Sequence, residues 1–419
     1  MTRKTRAIVG AGALAVVGVL VLSGCGGSGF DDSGDAGAGG GSGGLTSSDD
    51  ALNILIGSSG EAETSAVEDA VAAWSKESGV DAKVSVANDL NQQLSQGFAA
   101  GSPPDLFYLS TDAIAGYAGN GSLVAYGDEL ANKDDFYPSL VENFTVDGEF
   151  YCAPKDFSTL ALIINTDLWQ AAGLTEADIP TTWDELAAVS KTLTTDGRVG
   201  LAFGAEYQRV GTFMAQAGGG MVVDGQAVAN SPENVEALEY VKSHLEDGTF
   251  AYAADVGAGW GGEAFGKQLA AMVIEGNWIG GAMSADFPDV NYIVAELPAG
   301  PAGQGTLQFT NCWGMAADSP NQQAALDLVE YLTSTDQQLA FSEAFGPMPS
   351  ISSAADAWSE ANPDLKAFLT GADYAQFPPN QEGATDVIAD FNAQLETLKA
   401  GDPQQILDSV QANLEAVVG

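Results

Sequence analysis

The sequence predicts an α/β fold of two lobes joined by crossing strands, with a cleft between the lobes, and three features support this. The 419 residues exceed what one hydrophobic core ordinarily organises, so two bodies are expected. Residues 52–108 alternate apolar strand patterns with helical ones, which implies a β-α-β unit and a parallel sheet. Residues 151–169, YCAPKDFSTLALIINTDLW, read as a strand that Lys155 and Asp156 interrupt before it resumes. A polar interruption of this kind belongs where two lobes face each other, and convergent polar groups in a cleft orient a ligand.

Residues 1–24 form an export segment. Arg3, Lys4 and Arg6 head an apolar run over 7–22, shorter than the roughly 20 residues a stable membrane span needs. Leu22-Ser23-Gly24-Cys25 closes the run and resembles the bacterial lipobox, in which the cysteine receives lipid and becomes the new N-terminus. Residues 25–48 are mostly Gly, Ser and Asp with little to bury. They are expected to be a flexible tether with a root-mean-square reach of about 25 to 30 Å.

The first strand covers 52–56 and ends in Gly57-Ser58-Ser59-Gly60. Ser65 stands three residues before Glu68, a capping-box spacing that starts a helix there, with Val67, Ala70, Val71 and Trp74 inward. Val80, Ala82, Val84 and Val86 alternate as a strand, Leu90, Leu94 and Phe98 mark a second helix, and 104–108 opens a third strand. Loops 58–61 and 110–112 then share the carboxyl edge of the sheet, where open α/β sheets bind ligands. Asp147-Gly148 signals a hairpin feeding the crossing segment.

Beyond the crossing, Thr182 and Glu185 cap a helix carrying Trp183 and Leu186, and strands follow at 199–203, 270–274 and 292–297. Ser231-Pro232 starts a helix that Gly248 stops. Residues 306–316 read as an extended return through Cys312-Trp313, 345–349 as a third crossing, and 403–418 as an amphipathic helix. The expected lobes are 49–155 with 312–347, and 156–311 with 348–419.

The formal charge of −43 becomes more negative once the basic export segment is removed. That excludes a nucleic-acid binder and a folded body adsorbed on anionic lipid. The acidity reads as a solubilised surface rather than as a site. With Cys25 committed to lipid, Cys152 and Cys312 remain. Both lie on extended segments of an exported chain, so a disulfide is expected, with two buried thiols as the alternative.

Three motif matches fail on context. Residues 40–44 fit a nucleophile elbow but lie in the tether. Gly257, Gly259 and Gly262 fit a dinucleotide fingerprint without a strand leading in, and residues 261–267 approach a phosphate loop with Gln268 where Ser or Thr must stand. His244 is the sole histidine, so no zinc cluster can be built on it, and no cofactor is expected.

Several segments, in this order and spacing, resemble one family: Pro103 to Phe107, 151–169 with its Asn165-Thr166-Asp167-Leu168 ending, Pro180 to Leu186, Phe265 to Met272, Gly276-Asn277-Trp278 and Trp313 to Ala316. The family is the extracellular solute-binding proteins of bacterial ABC importers, in the large sugar-binding group that includes maltose-binding protein. The resemblance implies a periplasmic-binding-protein-like fold, a non-enzyme, and a monomer lipid-anchored through Cys25 on the outer face of the cell membrane. Hinge closure would present an oligosaccharide to a membrane permease. A sugar site needs groups that donate and accept hydrogen bonds, and aromatic faces for the ring. The candidates are Ser59, Glu61, Asp112 and Asp156 from one lobe, Glu206, Tyr207, Arg209, Trp260, Glu275, Asn277 and Trp278 from the other, and Trp313 at the return crossing. Rival readings are a carrier of a cationic solute such as a polyamine, and a surface glycoside hydrolase working through paired carboxylates.

Overall fold

Strands β1 (Leu52–Ile56), β2 (Ala82–Val86) and β3 (Leu106–Ser110) alternate with helices α1 (Glu61–Ser78) and α2 (Leu90–Ala99) in the computed structural model, which describes residues 44–223 and 225–418. The export segment, Cys25 and the tether up to residue 43 lie outside the described residues. The chain continues through β4 (Ala153–Asn165), β5 (Val199–Phe203), β6 (Phe250–Tyr252), β7 (Ala270–Gly276), β8 (Tyr292–Ala295), β9 (Thr306–Met315) and β10 (Ala375–Gln376). These strands connect in the order β6-β5-β7-β4-β9-β3-β1-β2, with β8 also on β4 and β10 also on β9.

The expected β-α-β opening is present: β1 runs parallel to both β2 and β3. Helix α1 begins four residues before the expected Ser65 cap, with Gly60 preceding it and Ser65 inside it. The reason is Glu63, whose carboxylate accepts from the Ser59 backbone N–H at 2.7 Å and from its hydroxyl at 2.6 Å. An acid in the first turn that reaches back to a free N–H does the work expected of the serine. The second cap forms where expected, with Thr182 accepting from Glu185 N–H.

The crossing segment differs from its expected form in being one unbroken strand. Lys155 and Asp156 lie within β4, and the Asp147-Gly148 hairpin that feeds it has positive φ at both turn residues. Residues 160–165 are fully buried because β4 is covered on both sides, as a near-continuous apolar run requires. Asn165 then ends the strand and caps the next helix by accepting from Leu168 N–H.

One core draws on residues 52–153 and 312–354, including Leu52, Trp74, Phe107, Trp313 and Leu328. A second combines Leu162, Phe203, Phe213 and Leu238 with Phe391 and Leu414 of the C-terminal helices, and a third gathers Phe157, Phe265, Met283, Trp358 and Phe368. Strands β4 and β9 contribute to the first core at one end and to the second farther along, and β4 also to the third.

The tether is shorter than its expected end at 48. Leu45 packs against the first core. Thr46 donates through its N–H to Gln322 at 3.1 Å and through its hydroxyl to the Ser319 carbonyl at 2.8 Å, and its own carbonyl accepts from Gln323 N–H at 3.0 Å. A row of backbone partners holds 45–48 where composition suggested a free coil.

Cys152 and Cys312 are joined by a disulfide with Cα atoms 5.6 Å apart, both fully buried in the first core. The bridge spans 160 residues, for which chain entropy gives a stabilisation of about 5 kcal/mol at most. Replacing both cysteines with alanine is expected to lower the unfolding free energy by about 2–5 kcal/mol in urea titrations. A change below about 1 kcal/mol would show that the bridge does not constrain the unfolded chain.

Candidate functional site

The register of the crossing strands places two carboxyl edges opposite each other. In the first core β4 runs in the same direction as β1 and β3, because both β3 and β4 are antiparallel to β9, and Ser110, Asn311 and Asp156 lie at one level. In the second half β5 and β7 run against β4, and β7 ends with Gly276 level with Leu160. The loops after β1 and β3 therefore face those after β5 and β7 across residues 156–160, a span of about 13 Å at strand rise. Its floor is Ser158 of β4 with Phe309 and Asn311 of β9, all half-buried.

The first side is organised by Lys155. Its ammonium binds Glu63 at 3.1 Å and also Asp156, and it lies 4.6 Å from the centre of the Tyr108 ring. Burial works to lift the Glu63 carboxyl, but Lys155 and the two Ser59 hydrogen bonds outweigh it and hold the group below the usual range. Burial wins at Asp156, which is raised despite Lys155.

The second side is organised by Arg209. Its guanidinium binds Glu206 at 2.7 Å and Glu275 at 2.6 Å. Glu275 also accepts from the Trp278 indole N–H at 3.1 Å, and the guanidinium carbon lies 5.4 Å from the centre of that indole. Burial raises the Glu275 carboxyl more than Arg209 and Trp278 lower it. Trp278 itself is 40% exposed and meets Phe309 edge-on at 6.1 Å. Gly276 makes this possible, since a Cβ there would overlap the indole. Gly261 plays the same part for the 260–262 loop, where a Cβ would collide with the Glu275 carboxylate.

Four of the sequence candidates, Glu206, Arg209, Glu275 and Trp278, form this network, and Ser59 and Asp156 belong to the opposite one. Trp260 is half-buried just ahead of Gly261. Asp112 accepts from the Thr385 hydroxyl at 2.9 Å, and the Asn277 amide donates to the Gly346 carbonyl at 2.9 Å, so both act as ties between segments. Three candidates are corrected. Glu61 is exposed in the first turn of α1, because Glu63 is the acid that turns inward. Tyr207 is 2% exposed and packs on Phe391. Trp313 is 1% exposed and packs edge-on against Tyr108 in the first core, so β9 presents Asn311 to the cleft in its place.

Sequence reasoning missed Glu63, Ser158, Phe309 and Asn311. Glu63 carried a signal, an acid in the first turn four residues after Ser59, which competes with the Ser65 box. Two buried polar atoms at the cleft lack partners, Ser110 Oγ and Arg209 Nε. Unpaired buried polar atoms in a folded protein call for an explanation, and a hydrogen-bonding ligand supplies one.

The description "bacterial extracellular solute-binding protein" belongs to the family pattern that residues 69–367 match. The galactooligosaccharide-binding protein of Bacillus subtilis is 25% identical over 83% of this chain and 85% of its own length. The diacetylchitobiose binding protein DasA of Streptomyces coelicolor is 26% identical, covering 83% and 82%. Among solved structures, a cyclic alpha-maltosyl-1,6-maltose binding protein from Arthrobacter globiformis superposes with a TM-score of 0.78 at 23% identity, over 88% of this chain and 98% of that one. The last likeness bears on fold alone.

Glu63 gives the site a pH signature. Its folded-state affinity for protons is below that of an unfolded carboxylate, so it stabilises the fold above about pH 4.5 and loses that contribution as pH falls through its own lower value. Glu63→Gln is expected to destabilise by about 1–3 kcal/mol at pH 7. In urea unfolding the deficit should shrink steadily below pH 4.5; an equal deficit at pH 7 and pH 3 would remove the electrostatic role.

Proposed function

Because the chain belongs to the bacterial extracellular solute-binding proteins, we propose that it captures an oligosaccharide for an ABC importer and passes it to a membrane permease. The observation that carries this reading is Trp278: a half-open indole face fixed beside Arg209 and Glu275, in reach of unmet hydrogen-bonding capacity. A pyranose asks for that pairing of an aromatic platform with groups that donate and accept. The sugar ligands named for two relatives support the class. Capture works by hinge closure: a ligand touching both carboxyl edges favours the closed arrangement, which the permease recognises.

The polyamine reading loses its electrostatic basis, since Glu63, Asp156, Glu206 and Glu275 are already paired with Lys155 or Arg209. A hydrolase needs two carboxylates flanking a scissile bond. Glu206 and Glu275 instead share one guanidinium, which supports the reading of a carrier over that of a hydrolase. Lipid on Cys25 places the body on the outer face of the cell membrane as a tethered monomer. No described helix is long and apolar enough to cross a membrane.

Tryptophan fluorescence titrated with neutral oligosaccharides is expected to saturate with one glycan class, and Trp278→Ala to weaken binding about tenfold, the loss of about 1.4 kcal/mol of stacking. The sugar should be recovered uncleaved. Silence with every sugar beside a salt-sensitive polyamine response overturns the assignment. Cell fractionation tests the anchor: Cys25→Ala should move the protein from the membrane to the soluble fraction, and an unchanged membrane fraction removes the lipid.

A further inference from the structure

A second cavity, of about 560 Å³, is lined by Glu142, Asn143 and their neighbours Ser139 and Thr145, by residues 221–223 with Gly225, and by residues 375–381. It lies on the other face of the crossing strands from the cleft. Ser139 on its wall donates to Gln308 at 3.5 Å, and Gln308 alternates with Phe309 along β9, so its side chain points away from the floor that Phe309 and Asn311 form. The volume falls in the range of small-molecule pockets.

Two of the lining residues each hold a buried polar atom without a partner, a donor on one and an acceptor on the other. Asn143, 5% exposed, accepts from the Asn380 amide at 3.3 Å, while its own Nδ2 has no partner. Gln381 Oε1 is buried and equally without a partner. A hydroxyl can accept from the first and donate to the second, whereas an ion can satisfy only one of them. Among the described lining residues Glu142 alone is ionisable, and Phe377 and Pro378 supply an apolar side. Leaving a buried amide hydrogen and a buried carbonyl both unmatched is costly, which favours an occupant over an empty space.

We infer that this cavity is a second binding site, taking a small neutral polyhydroxylated molecule of monosaccharide size through Asn143 and Gln381. It stands independently of what the cleft carries.

The test is NMR of the side-chain amide signals of Asn143 and Gln381 in the purified full chain, titrated with glucose. Both signals should shift saturably, in the wild-type protein and equally in Trp278→Ala, where the cleft platform is missing. Asn143→Leu should weaken the Gln381 response about tenfold. If that variant fails a circular dichroism check of its fold, the wild-type and Trp278→Ala titrations decide alone. Signals that stay still, drift without saturating, or shift only while Trp278 is present overturn the site.

Discussion

The ladder between β4 and β9 is the constraint on which the rest of the structure depends. Each strand must satisfy an apolar core at both ends, and in between it passes a stretch with no helix layer to cover one face. There the requirements reverse. Asp156, Ser158 and Asn311 stand where Leu162 or Met315 would stand a few residues away. A shared ladder also fixes which loops can meet: strand directions alone bring the ends of β1 and β3 opposite those of β5 and β7, whatever the loops contain.

The scarcity of positive charge shapes the cleft next. The sequence has 14 basic residues against 57 acidic ones, and the two placed at the site each hold two carboxylates. Removing Lys155 would leave Glu63 and Asp156, both largely buried, in want of a partner, a larger penalty than breaking an isolated pair. The arrangement fixes carboxylate oxygens in space, so they can meet hydroxyls without reorganising first.

Much of the fold was legible because it rests on local signals: the alternation over 82–86, the Asp147-Gly148 turn, the Thr182 cap and the apolar run before Asn165. The site was legible in part. Glu275 and Trp278 sit at a strand end, and Glu206 and Arg209 at the start of the helix Tyr207–Ala217 that follows β5, where sequence position already implies a loop edge. Trp313 and Tyr207 have the right chemistry in the wrong orientation, and orientation depends on register, which one sequence does not display. On β9 the pattern misleads, since polar Thr306 and Gln308 are fully buried while apolar Phe309 is half-open. Thr306 donates to the Leu160 carbonyl and Gln308 accepts from the Ser139 hydroxyl, both on distant segments, and no local pattern encodes those.

The clasp of residues 45–48 onto Ser319–Gln323 fixes the start of the described chain to one half of the protein. Five hydrogen bonds, four at Thr46 and one at Ser48, tie this stretch to the half containing β1, at the helix Gln322–Leu332 and the turn before it. The other half is joined to it through the crossing segments and through side-chain ties such as Thr385 to Asp112.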